Sequence, residues 1–71
     1  MEQNFDYLKI KDKIYDFYCH TIHSLSKKTK ISSGVLTNFF DPEKNHRIYK
    51  DLIILNRIAN CLETDILELV S

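Results

Sequence analysis

Thr21–Phe40 reads TIHSLSKKTKISSGVLTNFF, and the spacing of its apolar residues decides how the chain folds. Ile22, Leu25 and the small Ser26 fall on one face of a helix, Ile31 fills a bend, and Leu36 with Phe39 forms the inward face of a second helix. Two helices this short, joined this closely, bury their faces only by sharing one core, which is the spacing of a helix-turn-helix. Ser32 stands where the second helix begins, and its hydroxyl can accept from a free amide of the first turn, an interaction worth roughly 1 kcal/mol.

Upstream, Ile10, Ile14 and Phe17 recur at helical spacing among Lys and Asp, which predicts an amphipathic first helix over residues 6–19. Downstream, Asp41-Pro42 ends the third helix, because proline disfavours helical backbone in the residue before it. The polar stretch EKNHRIYK then predicts a loop. Asp51 is positioned to cap a fourth helix, LIILNRIANCLE, in which Leu52, Leu55, Ile58, Ala59 and Leu62 share one broad face. Thr64 or Asp65 can cap a short fifth helix with Ile66 and Leu69 turned inward. The expected fold class is all-α: a compact bundle of five short helices forming a single domain over residues 1–71, with helices two and three as the helix-turn-helix.

Composition agrees with this architecture. The chain of 71 residues is 44% hydrophobic and 28% charged with one Gly and one Pro, the scarcity of breakers expected of a helical globular protein. A domain of this size buries only about 60% of its unfolded surface, so its core must pack efficiently. No apolar run approaches the roughly 20 residues of a membrane span, and the opening MEQNFDYLKIKDK lacks a secretion signal, so a cytoplasmic protein without membrane contact is expected. Cys19 and Cys61 sit in apolar helical patterns and are expected to be buried, reduced thiols.

The segments T-I-x-x-L-S-x-x-T at 21–29, I-S-x-x-x-L at 31–36, L-x-x-L-x-x-I-A-x-x-L at 52–62 and I-x-x-L at 66–69 resemble the phage lambda repressor and Cro-type DNA-binding proteins, the Xre family, over about residues 10–70. The resemblance implies a lambda repressor-like fold and a transcriptional regulator of bacteria, their phages or mobile elements. The chain departs from the family pattern at Lys30 and Glu63, each replacing a common Gly, and in a longer connection after helix three. Phe40 replaces a commonly polar residue, either as extra packing under that connection or as an exposed contact.

Formal net charge is zero, yet residues 20–50 carry six basic side chains (Lys27, Lys28, Lys30, Lys44, Arg47, Lys50) against Asp41 and Glu43, a local +4 where phosphates would lie. In folds of this kind the amino-terminal residues of the recognition helix lie nearest the bases. Ser33, Gly34, Thr37 and Asn38 are therefore the expected base-reading residues. Asn38 leads them because an amide can pair in bidentate fashion with adenine N6 and N7. Gly34 either admits a close approach of DNA or is simply tolerated near a helix start. Thr21, Lys30, Lys44, Asn45 and Arg47 are expected to hold phosphates and set register, the alternative for each lysine being a solvated surface charge.

With the core face of helix four taken as Leu52, Leu55, Ala59 and Leu62, Ile53 lies nearly opposite and Ile54 on the flank, while Leu67 is out of phase with Ile66 and Leu69. These three residues are the expected homodimer interface, unless helix five, the long loop or the segment MEQNFDYL covers them. Cys19, His20, His23 and His46 do not make a converging tetrahedral set, so no metal is expected. Neither a phosphate loop nor a nucleophile triad is spaced for catalysis, so neither enzyme activity nor a cofactor is expected. The leading expectation is a sequence-specific regulator that binds double-stranded DNA, a repressor acting as a dimer. The competing one is a helix-turn-helix that binds another regulatory protein, as an antirepressor or antitoxin-like adaptor.

Overall fold

The computed structural model describes residues 5–70 and contains five α-helices and, among the described residues, no strand: α1 (Tyr7–Asp16), α2 (Ile22–Thr29), α3 (Ser33–Phe40), α4 (Ile48–Cys61) and α5 (Ile66–Val70). None of these helices is long and apolar enough to cross a membrane.

Helix starts follow the hydroxyl and carboxylate chemistry of the sequence. Asp6 caps α1 by accepting from the Lys9 amide, and Ser32 caps α3 by accepting from the Val35 amide. Thr21 and Ser24 form a reciprocal capping box at α2, in which Thr21 Oγ1 accepts from the Ser24 amide at 3.2 Å and Ser24 Oγ from the Thr21 amide at 2.9 Å.

Left-handed backbone occurs at three non-glycine residues, Cys19 (φ 59°) in the connection after α1 and Lys30 (φ 62°) and Glu63 (φ 56°) at the ends of α2 and α4. Lys30 closes α2, its amide bonding to the Ser26 carbonyl at 2.9 Å. Glu63 closes α4 in a Schellman motif: its own amide reaches the Asn60 carbonyl, and the Thr64 amide reaches that of Ala59 at 2.9 Å. Left-handed backbone costs a residue with a Cβ roughly 1–2 kcal/mol, and glycine avoids that cost. Glu63→Gly and Lys30→Gly are each expected to raise stability by about 0.5–1 kcal/mol, read from the urea midpoint.

Leu25, Leu36 and Phe39 from the central pair of helices join Ile10, Ile14, Leu55, Ile58, Ala59 and Leu69 in one buried cluster fed by all five helices. Ile22, Ile31, Leu62 and Ile66 pack around its edge. The turn between α2 and α3 is locked by side chains, with Ser26 Oγ donating to the Ile31 carbonyl at 2.6 Å and Thr29 Oγ1 donating to the Leu25 carbonyl at 2.8 Å while accepting from the Ile31 amide at 3.2 Å. Lys13 Nζ donates to the Glu68 carbonyl at 2.6 Å, and the Tyr18 hydroxyl to Thr64 Oγ1 at 3.1 Å, tying α1 to the carboxyl-terminal end.

Several expectations are corrected. Helix one ends at Asp16 rather than at 19, because the Tyr18 and His20 amides fold back onto the Lys13 and Ile14 carbonyls and Cys19 turns left-handed. Phe17 is consequently 74% exposed, and Cys19 is exposed outside any helix; Cys61 is half-buried, its thiol directed at the Lys28 carbonyl. Helix four starts at Ile48, three residues before Asp51, and Arg47 occupies its amino-terminal end with no side-chain cap. Asp51 points inward instead of capping, which rotates Leu52 off the core face to 40% exposure. Phe40, whose role the sequence left open, is buried.

Candidate nucleic-acid interface

Asp51 explains how the residues after α3 are held. Its carboxylate accepts from the hydroxyl of the buried Tyr7, at the opposite end of the chain, and lies 3.2 Å from His46 Nδ1. The other imidazole nitrogen, Nε2, is 2.7 Å from the Asp41 carbonyl. An oxygen acceptor thus faces each nitrogen of the ring. The Tyr7 ring stacks on the imidazole at a centroid distance of 3.9 Å and meets Phe39 edge-on at 5.4 Å. Among the described residues, no buried side-chain nitrogen or oxygen lacks a hydrogen-bond partner.

This network fixes a loop that is also shaped at its start. Asp41 Oδ1 accepts from the Glu43 amide at 2.9 Å, and the Asp41 carbonyl accepts from the Lys44 amide at 3.2 Å. With His46 anchored inward, its neighbours Asn45 and Arg47 stay exposed at the surface beside α3.

The result is a shallow cleft of about 230 Å³ between α3, the loop and the first turns of α4. Asn38 stands on the α3 side, and Lys44, Asn45, Arg47 and Lys50 on the other. Val35, Phe39 and Ile54 supply its apolar surface. Of the residues that the sequence nominates, Asn38, Lys44, Asn45 and Arg47 are thus brought together. Lys50, which the sequence counted only in the local charge, joins them one helical turn past Arg47.

The remaining candidates lie elsewhere around α3. Ser33 and Gly34 are exposed in its first turn. A Cβ added at Gly34 would meet nothing within 4 Å, and its φ is not positive, so no internal packing requires glycine there. Thr37 faces a second groove on the opposite flank, shared with Leu8, Ile22 and Phe40. Thr21 serves as the α2 cap and Lys30 is exposed at the α2 carboxyl end, neither of them lining the cleft beside Asn38.

Ile53 and Leu67 are exposed at 64% and 77%, whereas Ile54 is half-buried against the core and the cleft. Sequence reading missed a larger stripe: Ile48, Tyr49, Leu52 and Ile53 lie exposed on adjoining positions of the outer side of α4. The signal was present in IYKDLI, but it was hidden by reading Leu52 as core and Ile48 as loop. Met1–Asn4 of the segment MEQNFDYL lie outside the described residues, while Tyr7 within it is core. His20 Nδ1 is 3.1 Å from Ser24 Oγ, and among the described residues no group of three His, Cys, Asp or Glu side chains is arranged to hold a metal.

Comparisons of this chain with protein-family models, with curated proteins and with solved structures find no match.

Proposed function

We propose that this protein is a small sequence-specific DNA-binding regulator, a helix-turn-helix repressor of the lambda repressor and Cro type that occupies its operator as a dimer in the cytoplasm. The observation that carries the reading is the convergence of Asn38 with Lys44, Asn45, Arg47 and Lys50 around a single cleft beside the exposed side of α3.

In this reading α3 enters the major groove amino-terminal end first. Asn38 pairs with an adenine edge while the three cations and Asn45 take phosphates on one flank. The zero net charge of the chain suits a protein that relies on a local positive field rather than on coating DNA. Gly34 supports the same reading: it costs up to about 1 kcal/mol relative to alanine inside a helix, with no compensating contact in the chain, and it leaves bare backbone toward the groove.

Dimerisation is assigned to the α4 stripe of Ile48, Tyr49, Leu52 and Ile53, with the exposed Leu67 of α5 as a further candidate. Ile53→Asp puts a charge into that contact and should convert a dimer to a monomer in sedimentation equilibrium, with the unfolding midpoint losing its dependence on protein concentration.

The direct test of the reading helix is Asn38→Ala. It should relax specificity at one base position of a selected site by about 1–3 kcal/mol, measured as the ratio of affinities for the four bases there. Unchanged ratios at every position remove Asn38 from the reading. The apolar component of the cleft and the α4 stripe favour one competing function, an adaptor that binds a regulatory protein. It predicts a stoichiometric protein complex and no DNA binding even at low salt.

A further inference from the structure

Val35 is a β-branched apolar residue in the first turn of α3, and 46% of it is exposed. Valine is a poorer helix former than alanine, and one so exposed recovers little of that from burial. Part of its surface joins Phe39 and Ile54 in the cleft, and the rest is open beside Asn38 and the cations. Gly34 precedes it without a side chain, and nothing lies within 4 Å of where its Cβ would stand. A partner can therefore come close to the α3 backbone at Val35.

We infer that Val35 is a specificity-determining residue that receives the 5-methyl group of a thymine next to the adenine read by Asn38. The inference rests on the DNA-binding reading above. The chemistry of the groove selects this partner: among the major-groove edges of the four bases, the thymine methyl is the apolar group, and an aliphatic side chain recognises it by contact. The geometry sets the register. Asn38 follows Val35 by three residues, a rise of about 4.5 Å along the helix, close to the roughly 3.4 Å between stacked base pairs. The two side chains also line the same cleft, so one partner can touch both.

The test uses the full chain and the duplex recovered by selection from a random-sequence pool. Each thymine is replaced in turn by deoxyuridine, which removes the methyl group and leaves the pairing edge intact. Affinity should fall about fourfold at one thymine per half-site, the effect of burying one methyl group, and by far less at the others. Val35→Ala should bind thymine and uracil equally at that position while keeping the base preference due to Asn38. Val35→Ser, polar and without a γ-methyl, should also lose the discrimination. If uracil is tolerated at every position, or if Val35→Ala retains the full thymine preference, the inference is overturned and the DNA-binding reading stands. If no duplex is recovered or bound, both are overturned.

Discussion

Asp51→Ala should lower the stability of this protein by about 3 kcal/mol or more, a large part of what a chain of 71 residues holds. The substitution removes the buried carboxylate that faces both the Tyr7 hydroxyl and His46 Nδ1. Losing a buried acceptor costs more than its bonds contribute, because the interior offers no water in its place. In thermal unfolding the loss corresponds to a midpoint lower by about 12–24 °C for a domain of this size.

Graded controls separate the causes. Asp51→Asn keeps the volume and one acceptor and should lose about half as much. Tyr7→Phe keeps the stack on His46 and removes only the hydroxyl, so it should cost about 1.5–3 kcal/mol. If Asp51→Ala unfolds within 1 kcal/mol of the parent, the network does not hold the loop.

The second large effect concerns binding. Replacing Lys44, Arg47 and Lys50 together by Ala should reduce the slope of log affinity against log salt by nearly 3, because each phosphate contact releases about 0.9 counterion. At physiological salt the same contacts amount to roughly a hundredfold in affinity. All three side chains are exposed, and the fold should tolerate the change within about 0.5 kcal/mol. Lys9→Ala on α1, outside the cleft, removes one positive charge and should leave the slope unchanged. A triple variant that binds DNA with the parent slope would show that the cleft does not grip phosphates.

The two effects are linked through His46. The network that stabilises the fold also holds the loop that carries Lys44, Asn45 and Arg47, so a stability mutation at Asp51 should weaken DNA binding before it unfolds the chain. Binding measured well below the unfolding midpoint of Asp51→Asn tests this coupling.

What the sequence made legible was local. Spacing of three and four residues identified the inward faces of α2 and α3, and the hydroxyl of Ser32 marked the start of α3, because both signals lie within a turn of the residues they govern. Lys30 and Glu63, flagged as departures from glycine, are two of the three non-glycine residues with left-handed backbone. What was not legible depends on contacts distant in sequence. Asp51 looks like a cap when only its neighbours are read; its partner Tyr7 is 44 residues away, and that contact turns it inward and lets α4 begin at Ile48. The same misreading put Leu52 in the core and concealed the exposed stripe. Periodicity likewise extended α1 through Phe17, because spacing carries no information about the left-handed turn at Cys19.

In the candidate site, the nominated residues are scattered along the chain, and their grouping required the fold. Asn38 and Lys44 come together because His46 is pulled inward between Asn45 and Arg47. Thr37, only one residue from Asn38, turns about 100° away and faces another groove.

Equilibrium binding of the intact chain to a duplex selected from random sequence, set against a scrambled duplex of the same composition and followed across salt concentration, is the most direct measurement. A DNA-binding regulator should prefer the selected duplex by about a thousandfold or more, with affinity falling steeply as salt rises. Equal binding to both duplexes, or none at low salt, would contradict it.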